Sequence, residues 1–295
     1  MSARLRGIAA ETERIVAAGR YRAPDGRDVP LAEAVEAARA GTRIFGPAPV
    51  PVPSASGPSV PGSSVPVPSE AGSSGVAPEG GTTRFEVTGE SSLEAARRLA
   101  DGPVAVLNFA SARNPGGGYL NGAQAQEEAL CRASALHTCL LTARGFYDHH
   151  RAERDPFYTD RVIHSPGVPV FRDDRGRLLT EPYLAGFLTA AAPNAGVIRR
   201  TAPERAAGLP GALAVRAERV LETAAAHGYR RLVLGAWGCG VFQNDPARVA
   251  GAFRAALGPG GRFAYRFDRV VFGVLDRTPG AVVREAFVRA FPEAR

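Results

Sequence analysis

The chain contains no lysine. All 36 of its basic residues are arginines, set against 29 acidic residues, for a formal net charge of +7. Codon bias in a GC-rich genome accounts for such uniform usage. The arginines are spread along the whole length, so charge alone marks no nucleic-acid-binding face; it merely suits a polyanionic partner. Cysteine is scarce: Cys131, Cys139 and Cys239 are the whole complement. An odd count without CxxC spacing excludes a disulfide framework and a structural zinc site. The five histidines are scattered apart from His149-His150, and none stands at ligand spacing from a cysteine. No metal and no cofactor are therefore expected. Long apolar runs are missing too: nothing approaches the ~18 residues of a membrane span. Met1 to Gly19 carries arginines together with Glu11 and Glu13, and lacks the apolar stretch of a signal peptide. The expectation is a cytoplasmic protein with no membrane association, and a monomer.

What is present suffices for one sizeable core and an appendage: 295 residues, 45% hydrophobic. Residues 1–45 read as a small helical module. Ile8, Thr12, Ile15 and Val16 fall near helical spacing. A turn follows at Ala23-Pro24-Asp25-Gly26, then a helix over Leu31 to Ala40 that Gly41 ends. Residues 46–81 differ in kind. Of these 36 residues, 24 are Gly, Pro or Ser and none is aromatic. Such a segment buries too little apolar surface to offset its ordering entropy, so it is expected to be a disordered linker. From residue 82 to 295 strands and helices alternate. Strands are expected at Phe85–Thr88, Val104–Phe109, Val162–Ser165, Phe187–Ala191, Leu232–Leu234 and Val270–Leu275. Helices are expected from Ser91 or Ser92 to Leu99, and over Gln124–Ala143, Leu213–His227, Pro246–Leu257 and Gly280–Phe291. Asp173-Asp174 reads as a solvated turn. The alternation implies an α/β fold with helices on both faces of a mixed, mostly parallel sheet.

Two constellations carry chemistry. In the first, the strand ending at Asn108-Phe109 runs into Asn114-Pro115-Gly116-Gly117-Gly118, and Gln126-Glu127-Glu128 follows near the start of a helix. Three successive glycines cost backbone entropy unless the backbone itself has a task. Bare N–H groups curve around an anion or lie flat against a sugar, and a helix start adds its positive dipole end. A tight structural loop explains a triple glycine equally well, and two acids at a helix start are favourable dipole partners in any protein. In the second, the strand Leu232–Leu234 runs into Gly235-Ala236-Trp237-Gly238-Cys239-Gly240-Val241-Phe242. The spacing is GxxGxG, which is not the dinucleotide fingerprint, but a glycine-rich turn after a buried strand is well placed for phosphate. Cys239 has no histidine partner in sight and reads as a small residue filling the loop. Trp237 reads as a packing residue.

A triple glycine, then six to eight residues, then Gln-Glu-Glu resembles the signature of poly(ADP-ribose) glycohydrolases. Asn108 to Gly118 and Gly122 to Glu128 are similar to the bacterial branch in particular. The resemblance runs from about residue 84 to the C-terminus and takes in the N-terminal module. It implies a macrodomain-like three-layer α/β/α fold and cleavage of the ribose–ribose O-glycosidic bond from chain ends, releasing ADP-ribose. It implies poly(ADP-ribose), ADP-ribose and ADP-ribosylated proteins as partners. Glu128 then protonates the leaving oxygen and takes a proton from the attacking water, while Glu127 holds the terminal ribose by its hydroxyls. Adjacent residues on one helix cannot flank both faces of a sugar, so a single acid/base is the better reading. Asn108, Asn114, Gly116, Gly117, Gly118 and Gln126 become substrate contacts. The second loop resembles the diphosphate loop of macrodomains: Gly238, Cys239, Gly240 and Val241 offer N–H groups, and Phe242 packs on the terminal ribose unless it belongs to the core. Two alternatives stay open. One is an ADP-ribose reader without turnover; the other is a hydrolase acting on mono-ADP-ribosylated protein or DNA.

Overall fold

A computed structural model describes residues 2–52 and 82–294; the expected linker therefore lies, from residue 53 to 81, outside the described residues. The chain opens with α1 (Ala3–Ala18), a hairpin of β1 (Arg20–Arg22) and β2 (Asp28–Pro30) about the expected turn, α2 (Ala32–Gly41) and β3 (Arg43–Phe45). There follow β4 (Arg84–Thr88), α3 (Ser92–Arg98), β5 (Val104–Phe109), α4 (Gln126–Ala133), α5 (Leu136–Thr142) and α6 (Arg144–Glu153). The hairpin β6 (Val162–Arg172) and β7 (Leu178–Ala190) comes next, then α7 (Ala195–Thr201), α8 (Leu209–Ala226) and β8 (Arg231–Leu234). The chain closes with α9 (Pro246–Leu257), β9 (Arg269–Gly273) and α10 (Val282–Ala290).

Seven strands make one sheet in the order β3-β6-β7-β5-β8-β9-β4. The pairs β7/β5, β5/β8, β8/β9 and β9/β4 are parallel, whereas β6 is antiparallel to both β7 and β3. Strand alternation sends successive side chains to opposite faces, and both faces are buried. Val104, Val106, Phe187, Val233 and Val271 enter one core with α1 to α6. Ala105, Leu107, Leu188, Leu232 and Phe272 enter the other with α8, α9 and α10. Hence the central strands read as continuous apolar runs, and the architecture is α/β/α with a mixed, mostly parallel sheet. The N-terminal stretch is not merely helical: β3 extends the sheet beside β6, and Ala9, Ile15, Tyr21 and Val35 share the first core. Among the described residues no helix is long and apolar enough to cross a membrane.

Three expectations need correction. The single helix over Gln124–Ala143 is two. Ser134 is extended (φ −146°, ψ 176°) and bridges to Val170. Its hydroxyl donates to Leu130 O and accepts from Leu136 N–H, capping both pieces at the break. Next, β6 and β7 are far longer than their apolar centres suggested. Pro166 and Pro169 argue against a strand, but β3 pairs only with Val162–His164, so these prolines have no ladder to break on that side. A register shift between Ser165 and Val168 absorbs Pro166-Gly167. Last, β1, β2, β3, α6 and α7 have no counterpart among the expected elements. Asp173 does sit in the hairpin turn, accepting the N–H groups of Arg175 and Arg177.

Candidate active site

The C-terminal ends of β5 and β8, neighbours in the parallel part of the sheet, carry the two glycine loops. This is the edge where open α/β sheets bind ligands. The loops touch: a Cβ on Gly235 would lie 3.1 Å from the Phe109 ring.

Asn108 points to the face shared with α4. Its Nδ2 donates to Thr189 Oγ1 at 3.1 Å and to Glu127 Oε1 at 3.3 Å, and its Oδ1 is buried without a partner among the described residues. Glu127 is 3% exposed. Its Oε2 accepts the Ser111 N–H at 2.7 Å, and the Gly116 N–H also faces it. Burial, and then the charge of Glu128, push its carboxyl up to about 8 against the partial relief of these donors. Glu128 is 8% exposed. Its Oε1 accepts the Gly118 N–H at 2.9 Å; no protein donor reaches its Oε2 among the described residues. The two carboxyls thus differ: Glu127 meets protein donors at both oxygens, whereas Glu128 meets one at Oε1 alone.

The triple glycine explains the arrangement differently from expectation. Its N–H groups are already engaged: Gly117 donates to Asn114 O, while Gly116 and Gly118 turn to the two glutamates. The loop is wrapped around carboxylates, not left open for phosphate. Gly117 sits at φ +58°, and a Cβ there would lie 2.5 Å from Glu128 Oε1 and 3.2 Å from Glu127 Oε2. Only glycine lets the backbone pass so close to both acids.

Gln126 also needs correction. Its Nε2 donates to Leu107 O and Ser92 Oγ, and its Oε1 accepts the Phe109 N–H. The amide clamps the start of α4 to β5 and α3, which leaves it no reach toward a ligand. Asn114 serves through its backbone, and its exposed side chain makes no hydrogen bond among the described residues.

The second loop has the opposite economy. Among the described residues the N–H groups of Gly238, Gly240, Val241 and Phe242 have no intramolecular acceptor, whereas Cys239 donates to Ala236 O. Gly238 is at φ +70°, and a Cβ there would meet Ala192 at 2.5 Å and Asn244 Nδ2 at 2.6 Å. Asn244 is the buried pin: its Nδ2 donates to Pro193 O and Gly238 O. Trp237 is buried, donating Nε1 to Ala190 O. Burial pushes the Cys239 thiol up to about 12, the reverse of what a nucleophile needs. Val241 is exposed, and Phe242 is half-buried with its ring 5.8 Å from that of Tyr158. Among the described residues no group of His, Cys, Asp and Glu is placed to hold a metal ion.

A family model described as "Microbial-type PARG, catalytic domain" matches residues 9–173. This chain belongs to that family, the microbial-type poly(ADP-ribose) glycohydrolases (PARGs). The solved structures agree. The chain is 47% identical to the PARG of Thermomonospora curvata, covering 98% of this chain and 100% of that one, with a TM-score of 0.83. The same enzyme bound to the inhibitor ADP-HPD gives 48% identity, the same coverage and a TM-score of 0.83. The PARG of Deinococcus radiodurans in complex with ADP-ribose is 40% identical, covering 89% of this chain and 98% of that one, with a TM-score of 0.74. No curated protein matches the chain.

Sequence reasoning missed the residues that support this PARG site. Thr189 and Ser111 are short polar groups in or just after apolar strands, and their only signal was polarity in a buried run. Asn244 and Tyr119 stand next to the two glycine loops but carried no signal of their role, and Tyr158, Glu13 and His137 reach the loops only through the fold.

Two outcomes follow. Gly117→Ala should leave the fold intact and lower kcat by at least about 10²-fold, because the added methyl must displace Glu128; unchanged turnover would refute the packing argument. Glu127→Gln should change stability with pH. A carboxyl raised from 4.5 to about 8 in the fold favours the folded state fully below pH 4.5 and loses that contribution as pH rises to about 8. The variant lacks this loss. By calorimetry, its advantage over the parent should grow between pH 5 and 8, to at most about 5 kcal/mol, and then level off. A gap independent of pH would contradict the assigned burial.

Proposed function

We propose that this PARG hydrolyses the ribose–ribose O-glycosidic bonds of poly(ADP-ribose) with Glu128 as a single acid/base. The observation that supports this is the asymmetry of the pair, with Glu127 accepting protein donors at both oxygens and Glu128 keeping Oε2 free. A binding module has no use for two buried carboxyls held side by side at a cost in desolvation.

The terminal ribose lies over the triple-glycine loop and the diphosphate rests on the free N–H groups of Gly238, Gly240, Val241 and Phe242. Cys239, whose N–H is spoken for, contributes only its small size. Phe242, half-buried against the core, packs on the ribose. Glu128 gives its proton to the bridging oxygen as the anomeric C–O bond breaks. The oxocarbenium-like centre is stabilised by the Glu128 carboxylate left behind and by the substrate's own diphosphate. Water then attacks the anomeric carbon and returns a proton to Glu128. Glu127 takes the ribose hydroxyls, and the unpartnered Asn108 Oδ1 offers them a second acceptor. The cleavage runs from the chain end, releasing single ADP-ribose units, as the family resemblance implies.

Glu128→Gln keeps the shape and removes the transferable proton. Turnover of polymer should fall by about 10²–10⁴-fold, while ADP-ribose binding by calorimetry stays within a few-fold. Glu127→Gln should weaken binding more. If Glu128→Gln turns over normally, the acid/base assignment is wrong; if neither variant loses activity and the parent only binds ADP-ribose, the protein is a reader.

A further inference from the structure

The N-terminal helix is tied to the catalytic loop and to α4 behind it, and the Tyr119 hydroxyl also lies 3.2 Å from Ala9 O of that helix. Gly122 O, at the end of that loop, accepts the Ser2 N–H at 3.1 Å. The Thr12 hydroxyl donates to Arg132 O, at the far end of α4, at 2.7 Å. Between these, one oxygen of Glu13 serves two groups beneath the glycines: Oε1 accepts the Tyr119 hydroxyl at 3.1 Å and lies 3.1 Å from His137 Nδ1. Tyr119 is 1% exposed and His137 6%. Their rings lie 5.0 Å apart, and together they flank Gly116: a Cβ there would be 3.0 Å from His137 Cδ2 and 3.6 Å from Tyr119 Cβ. The Tyr119 N–H in turn closes the loop onto Gly116 O.

We propose that Glu13 is a positioning residue for the glycohydrolase reaction. By fixing Tyr119 and His137 under Gly116, it sets the height of the triple-glycine loop and so aims the Gly118 N–H that orients the Glu128 carboxylate. The inference rests on the reading of Glu128 as acid/base. Glu13 touches no substrate and acts from outside the cleft. Burial opposes its ionisation, but His137 and the Tyr119 hydroxyl outweigh that and hold its carboxyl below the usual range. It is therefore a fixed anion tying the N-terminal helix to the loop, and the helix is a working part of the active site.

The second loop, which carries the diphosphate in this scheme, makes no contact with Glu13. This separation gives the test. In the full-length protein, Glu13→Ala should lower kcat for polymer by about tenfold or more. ADP-ribose affinity should stay within about twofold and the midpoint of thermal unfolding within a few degrees. Glu13→Gln keeps an accepting oxygen and should recover kcat to within about threefold of the parent. Tyr119→Phe is the milder probe should Glu13→Ala fail to fold; it should lower kcat alone and add little on top of Glu13→Ala. The proposal is overturned if Glu13→Ala and Tyr119→Phe leave kcat unchanged, if Glu13→Gln is as impaired as Glu13→Ala, or if affinity and stability fall in step with kcat. Glu128→Gln run in parallel separates the two claims. If it is inactive while the Glu13 and Tyr119 variants are normal, the positioning role alone fails; if it is active, the acid/base reading fails first.

Discussion

Two adjacent carboxyls buried at the end of a central strand are the constraint around which this structure is organised. Taking one carboxylate out of water is costly, and taking a second beside it more so. The surroundings answer with donors drawn from every nearby segment: Asn108 from β5, the Ser111 N–H from the loop after it, and Gly116 and Gly118 from the glycine turn. Gln126 locks the helix carrying the acids onto β5 and α3 through three hydrogen bonds. The residual cost appears as the raised carboxyl of Glu127. That cost is borne by the carboxyl that the proposed scheme uses to hold the ribose, and the proton transfer is left to Glu128 beside it.

The two glycine loops look alike in sequence and differ in physics. At the first, glycines let the backbone approach the acids, and the N–H groups of Gly116 and Gly118 are used in holding them while that of Gly117 closes the turn onto Asn114 O. At the second, Gly238 lets Asn244 and Ala192 pack against the turn, which leaves several N–H groups pointing outward without partners. Uncommitted amides of this kind suit a diphosphate. In the proposed scheme this division of labour between neighbouring parallel strands sets acid chemistry beside anion binding without one quenching the other.

Much of this was legible before any coordinates. The expected bounds of β5, β8 and α9 hold to within a residue, because β5 and β8 are apolar runs and α9 opens on Asp245-Pro246, a cap followed by a residue suited to a first turn. The triple glycine and Gln-Glu-Glu, paired in the sequence, do lie together in the fold. What could not be read was the use made of each group. Whether a glycine N–H faces a ligand or a carboxylate depends on a helix that begins ten residues later. Gln126 resembled a ligand contact because it stands beside two of the site's acids, and only the fold shows its amide saturated. The long hairpin β6/β7 was hidden because prolines argue against strands, and the permissive edge beside it exists only once β3 has stopped short. The brace at Glu13 joins residues more than a hundred positions apart, which no local pattern records.

The most direct measurement is a crystal structure of this protein with ADP-ribose bound. The account predicts diphosphate oxygens within hydrogen-bonding distance of the N–H groups of Gly238, Gly240, Val241 and Phe242. It predicts Gly118 N–H still on Glu128, and the anomeric carbon of the terminal ribose next to Glu128 Oε2. Diphosphate seated on the N–H groups of Gly116 to Gly118, with Glu128 released from the loop, would contradict it.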